Sequence, residues 1–147
     1  MAKNKMRLEV KGFEEYMAKL DEVGGSAAMK RGVEEALVAS KEHINTKIDT
    51  IMKPGNMPAR GKYWTGKTKR SIDKNMAVEW DGLIGRMTIG FDWAKSGIVS
   101  QVLLYGTASV PPVKGLHAAI FGGKTKRELR DIQTEKINAA IKRIMEG

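Results

Sequence analysis

One stretch of the chain has the residue types of a phosphate-binding loop. Gly61-Lys62-Tyr63-Trp64-Thr65-Gly66-Lys67-Thr68 satisfies the GxxxxGK[ST] pattern. In that pattern backbone N–H groups cradle phosphates, the lysine reaches them and the hydroxyl meets magnesium. The chemistry needs a buried strand before the loop and a helix N-terminus after it. Residues 52–60 contain Pro54, Gly55, Pro58 and Arg60, which a buried strand does not accommodate. Asp73-Lys74-Asn75 follows soon afterwards and leaves no room for a long helix. Tyr63 and Trp64 put two bulky rings where tight turns are required. Nucleotide hydrolysis is therefore not expected, and no cofactor is called for.

The other reactive residue types are equally sparse. His43 and His117 are far apart, and neither stands at ligand spacing from carboxylates. His43 reads as a helix-flank residue and His117 as the start of a short helix. The serines and threonines form no nucleophile elbow. There are no cysteines, so disulfides and thiolate metal sites are excluded. The expectation is a non-enzyme with no catalytic, cofactor-binding or metal-binding residues.

Charge is more informative. The net charge is +9, and it is unevenly placed. Residues 1–52 are neutral, 53–75 carry net +6, 76–110 net −1 and 111–147 net +4. A basic segment with Tyr63 and Trp64 interleaved suits nucleic acid, because cations neutralise phosphates and rings stack on bases. No nucleic-acid motif surrounds it, so a loop ordered against a protein partner is the preferred reading. Lys124-Thr125-Lys126-Arg127 is open to the same two readings. These cations oppose the dipole at a helix start, so another demand places them there.

The elements that must position these residues follow from periodicity. The 147 residues suffice for one domain with a real core, taken as a single domain over 1–147. No apolar run reaches the roughly 20 residues of a membrane helix. The basic start, Met1 to Arg7, lacks an apolar core, so no signal peptide is expected. Met6, Leu8 and Val10 alternate with charged residues as in a strand. Phe13 to Val23 reads as a short helix ended by Gly24-Gly25, and Ser26 as the N-cap of the next. That next helix is long. Met29, Val33, Leu37, Ile44, Ile48, Ile51 and Met52 form one stripe, filled by Ala36 and Ser40, with Lys41 among the residues of other faces. Pro54-Gly55 ends it. Residues 53–70 read as a flexible basic loop, irregular until about Thr68. A hairpin follows: Met76, Val78 and Trp80, then the turn dipeptide Asp81-Gly82, then Leu83, Ile84, Met87, Ile89 and Phe91. Residues 92–104 are ambiguous and admit a short helix running into Tyr105-Gly106. Thr107 to Pro112 reads as an extended loop, and about Lys124 to Met145 as a second helix. Gly106 is placed for a conformation or close approach that a side chain would block. Thr65-Gly66 is read as a turn and N-cap that launches Ser71-Ile72 toward the hairpin. The predicted class is α+β: a long amphipathic helix and a C-terminal helix packed on a small, mainly antiparallel sheet with a long central loop.

These landmarks, in this order, resemble the HK97 gp10-like tail-component family of tailed bacteriophages. The matching residues are Leu8-Glu9-Val10-Lys11-Gly12-Phe13 at the start, Thr65-Gly66 with Ser71-Ile72, and Leu104-Tyr105-Gly106-Thr107 followed by Pro111-Pro112. Lys67-Thr68 stands where the family has an apolar residue. Val113 to His117 stands where an aromatic and a second proline follow. The resemblance implies a neck or tail-completion protein of the virion, assembled in the host cytoplasm and placed at the head–tail junction. It implies a homo-oligomeric ring around the DNA channel, with connector and tail-tube or tail-terminator proteins as partners and non-specific contact with genomic DNA. The interface candidates are Arg60, Lys62, Tyr63, Trp64, Lys67, Lys69, Arg70, Tyr105, Gly106, Thr107, Pro111 and Pro112. The alternative carried beside it is a small basic nucleic-acid-binding module.

Overall fold

The computed structural model describes residues 5–10, 26–62, 64–82 and 84–146. The expected helix over Phe13–Val23, its Gly24-Gly25 stop, and the positions of Tyr63 and Leu83 lie outside these residues. So does the side chain of the expected Ser26 cap.

The architecture is α+β. Strand β1 (Lys5–Val10) is followed by helix α1 (Ser26–Ile51), two 3-10 turns (Pro54–Asn56 and Pro58–Gly61) and a four-residue helix α2 (Lys67–Arg70). Strands β2 (Glu79–Asp81) and β3 (Ile84–Gly90) form a hairpin. Helices α3 (Trp93–Ser96), α4 (Ile98–Tyr105), α5 (Leu116–Phe121) and α6 (Gly123–Glu146) complete the chain. The sheet has three strands in the order β1-β3-β2. No described helix is long and apolar enough to cross a membrane.

The chain divides into two compact units. The first comprises Met1–Met6, His43–Asn75 and Thr88–Lys126; the second comprises Arg7–Glu42, Met76–Met87 and Arg127–Gly147. Helices α1 and α6 and strands β1 and β3 each give residues to both.

In the second unit, α1 presents Val33 and Leu37 to Val10 and Met87, with Leu8, Val38, Val78, Trp80 and Ile137 packed around them. Each large aliphatic side chain so buried contributes about 1.5–3 kcal/mol. The alternation read in β1 is present: Met6 and Leu8 are half-buried and Val10 buried, while Lys5, Arg7 and Glu9 are exposed. Helix α6 lies against α1 in this unit. Gly32 is so close to Ala140 that an added Cβ would collide with the alanine's own. Gln133 Nε2 donates to Ser40 Oγ at 3.3 Å, and Arg143 meets Glu35 at 3.1 Å. Arg86 donates from Nε to Glu9 at 2.8 Å and from Nη1 to Asp81 at 3.0 Å, joining all three strands. Those bonds, to Asp81 first and then Glu9, raise its pKa further above an already high value. Stability from this shift is lost only as pH rises through that value, so no pH dependence comes from it in the working range.

In the first unit, α1 continues the same stripe with Ile44 and Ile48, and Met52 directly after the helix extends it, all fully buried. Ile72 forms an antiparallel bridge to Phe91. The Asp73 N–H donates to the Gly90 carbonyl at 2.8 Å, and the Asp92 N–H to the Ser71 carbonyl at 2.7 Å. The expected launch of Ser71-Ile72 toward the hairpin therefore ends in real pairing.

Several expectations are corrected. Lys41 is only 1% exposed, so one charged residue shares the buried side of α1. Residues 53–70 are irregular only in part: prolines open two short 3-10 turns, where a fixed φ suits the first position, the second of them broken by left-handed Ala59 and Arg60, and α2 begins at Lys67, close to the expected end of the loop. The hairpin turn is one residue later than expected, because Asp81 pairs with Ile84 and Glu79 with Arg86. Met76 and Val78 precede β2 rather than belong to it. The helical alternative for the ambiguous stretch is the one present, as α3 and then α4 running into Tyr105-Gly106.

Candidate functional site

The first unit holds every described residue singled out for contact, and its backbone brings Arg60, Trp64, Lys67, Pro111 and Pro112 to two neighbouring cavities, which the other described candidates do not line. Lys53 leads into the first 3-10 turn, and Met57 then turns inward and is buried. Ala59 and Arg60 next adopt left-handed φ values of +55° each, followed by Gly61 at +83°. A Cβ on Gly61 would lie 2.5 Å from the Pro54 carbonyl oxygen. Three successive left-handed residues turn the chain sharply, and the two with side chains carry strain of the kind that accumulates at functional sites.

Beyond this bend the Trp64 N–H donates to the Gly61 carbonyl at 3.0 Å. The Lys67 N–H donates to Thr65 Oγ1 at 3.3 Å, and Arg70 reaches back from Nη1 to the Thr65 carbonyl at 3.3 Å. The N-cap position of α2 is held by Gly66, at φ +76°, rather than by Thr65; the threonine makes a side-chain turn instead. The segment leading directly into Gly61–Thr68 is two 3-10 turns rather than a strand, and the four residues of α2 stand where a long helix is needed. The amides of Trp64 and Lys67 bond within the loop rather than converge on a phosphate position.

The second loop is built around Gly106 and Thr107. Gly106 caps α4 at φ +74°, and a Cβ there would fall 2.8 Å from Pro112 and from the Val110 carbonyl oxygen. Both roles expected of this glycine are present. The loop is not extended throughout. The Thr107 N–H donates to the Val110 carbonyl at 2.7 Å, and Thr107 Oγ1 accepts from the Val110 N–H at 3.0 Å. The chain bends tightly over 107–110, and Pro111-Pro112 then leads to Val113, whose N–H donates to the Leu103 carbonyl at 2.8 Å.

These two loops meet. A cavity of about 430 Å³ is lined by Met57, Pro58, Trp64, Thr65, Gly66, Lys67 and Thr68 from one side and Val99, Val102, Leu103 and Val110 from the other. A neighbouring cavity of about 660 Å³ brings residues 56–60 beside 109–114. Arg60, Lys62, Lys67 and Arg70 are exposed, Trp64 and Lys69 half-buried, and Thr107, Pro111 and Pro112 exposed. Tyr105, 40% exposed, stands apart from both cavities. Its ring meets His117 edge-on at 5.1 Å, and His117 in turn faces Phe121 at 4.9 Å. At the start of α6 Thr125 is buried, donates to the Ala118 and Ala119 carbonyls at 3.1 Å each, and accepts from Lys47 Nζ at 3.1 Å.

The residues missed in sequence are the apolar members, above all Val99 and Val102. Ile98 is 67% exposed and Val99 49%. A signal was available: Ile98, Val99, Val102, Leu103 and Leu104 crowd an eight-residue helix, more than one buried face takes up.

Among the described residues, no group of three or more His, Asp or Glu is placed to hold a metal ion. No family model, curated protein or solved structure matches the chain.

Proposed function

We propose that the chain is a structural virion protein of a tailed bacteriophage, a neck or tail-completion component at the head–tail junction. It acts by assembling into an oligomeric ring around the DNA channel. The observation that carries this reading is the meeting of residues 57–68 with 99–110 on one exposed face, apolar at its floor and cationic at its edge. An apolar patch with a polar rim is the chemistry of a protein interface. The order of Thr65-Gly66, Ser71-Ile72, hairpin, Gly106-Thr107 and Pro111-Pro112 points the same way. The partners are further copies of the chain, the connector, and tail-tube or tail-terminator proteins. The location is the virion, reached from the host cytoplasm.

Mass measurement of purified particles tests this. Several copies of the chain per tailed particle are expected. Replacing Arg60 and Lys67 with glutamate is expected to leave filled heads and free tails unjoined. Absence of the chain from particles, or normal joining by that variant, would overturn the reading.

The cations and Trp64 on the same face favour one other reading, a basic nucleic-acid-binding module. Such a module binds DNA as a monomer with a steep salt dependence, whereas a ring component shows little affinity as a monomer.

A further inference from the structure

We infer that this face takes an acidic amphipathic segment of a protein partner, with apolar side chains seated against Trp64, Val99 and Val102 and carboxylates beside Lys67, Arg60 and Lys114. This names the partner chemistry of the assembly face and rests on the reading that the face is an interface. The two cavities share Met57, Pro58 and Val110, so they are lobes of one groove. Lys67 lines one lobe, and Arg60 and Lys114 line the other. No carboxylate is among the described residues lining either lobe. The groove is therefore complementary to negative charge along its length, while its floor is complementary to aliphatic surface.

That combination separates a protein segment from a nucleic acid. A single strand needs aromatic platforms for successive bases and cations for its phosphates. Here Trp64 is the one aromatic ring among the described lining residues, and apart from Thr65, Gly66, Lys67 and Thr68 the rest of its lobe is lined by aliphatic side chains, Met57 and Pro58. Aliphatic surface gains little from bases and much from leucine or phenylalanine side chains. Helix-in-groove recognition with charged flanks fits both halves of the chemistry.

The test is a titration of the full chain, read by backbone amide NMR shifts. The probe is a synthetic peptide of about 14 residues with leucine and phenylalanine on one helical face and glutamate on the other. Two controls replace its glutamates with lysine or its apolar residues with serine, and oligo-dT of matched length is a third. The acidic amphipathic peptide is expected to bind at least roughly tenfold more tightly than each control. Its shifts are expected at residues 64–68, 98–103 and 110. Val99→Asp, on an exposed side chain, is expected to weaken it roughly tenfold. The double variant Arg60→Glu with Lys67→Glu is expected to reverse the preference toward the lysine peptide. Tighter binding of oligo-dT, equal binding of all three peptides, or shifts confined to other residues would overturn the proposal. A chain found in particles but without this peptide preference refutes the groove chemistry alone. A chain absent from particles that still shows it refutes the assembly reading alone.

Discussion

Ala59 and Arg60, at φ +55° with ψ of 30° and 31°, sit where an L side chain is unfavourable by about 1–2 kcal/mol per residue. The larger of the two cavities is lined by this bend on one side and by Ser109 and Val110 on the other. Replacing alanine by glycine in an ordinary loop lowers stability by about 0.4–1 kcal/mol, because the unfolded chain gains freedom. At Ala59 relief of the left-handed backbone outweighs that loss. Ala59→Gly is therefore expected to raise stability by about 0.5–1 kcal/mol, a rise of roughly 2–4 °C in thermal midpoint for a chain of this size. A lowered midpoint by calorimetry would show that the bend carries no such strain. Gly61→Ala is expected to go the other way, because its Cβ would meet the Pro54 carbonyl oxygen in a backbone that φ +83° already disfavours for alanine.

Helices α1 and α6 were legible in the sequence, and the reason is length. A stripe at three- and four-residue steps needs several turns to declare itself, and Met29 through Met52 supplies them. Four-residue helices such as α2 and α3 have no period to read. The three residues of β2 are too few to separate strand from approach, so Met76 and Val78 alternate without pairing. For the candidate site, turn chemistry and charge marked both loops from Arg60 to Pro112. The crowding of apolar residues in α4 signalled that some are uncovered, but only tertiary structure shows that Val99 and Val102 are the ones at the cavity. Gly32 falls between these cases: a mid-helix glycine signals a packing demand but not the partner. The structure supplies Ala140. Gly32→Ala would gain about 1 kcal/mol in helix propensity if exposed. Against Ala140 it is expected to lose about 1–3 kcal/mol through overpacking. Combining it with Ala140→Gly should recover much of that loss, and a double-mutant cycle in urea measures the coupling. Additive single effects would mean that the two helices move apart without penalty.

At the scale of the whole chain, four elements are divided between two compact units, and this shapes how the molecule comes apart. The first unit holds α1 from His43 onward, a piece shorter than the roughly 12–15 residues at which an isolated helix becomes even marginal. The same unit holds only Gly123–Lys126 of α6, about one turn. Strand β3 is cut between Met87 and Thr88, so the pairing that seats Arg86 and the bridge that seats Phe91, the residue directly after the strand, lie on one continuous stretch of chain. Melting either unit leaves the other with frayed helix ends and a strand anchored at one end only. One cooperative transition is therefore expected, not two. Urea unfolding followed by fluorescence tests this with two variants, one retaining only Trp64 as the probe of the first unit and one retaining only Trp80, whose Nε1 donates to Glu34 at 2.9 Å, as the probe of the second. Each curve is compared with far-ultraviolet circular dichroism of the same variant. Coincident midpoints and slopes are the expected result. A Trp80 transition clearly preceding the circular-dichroism change would show that the second unit opens alone. The shared helices would then be hinges between independently stable parts rather than ties that make the chain unfold as one.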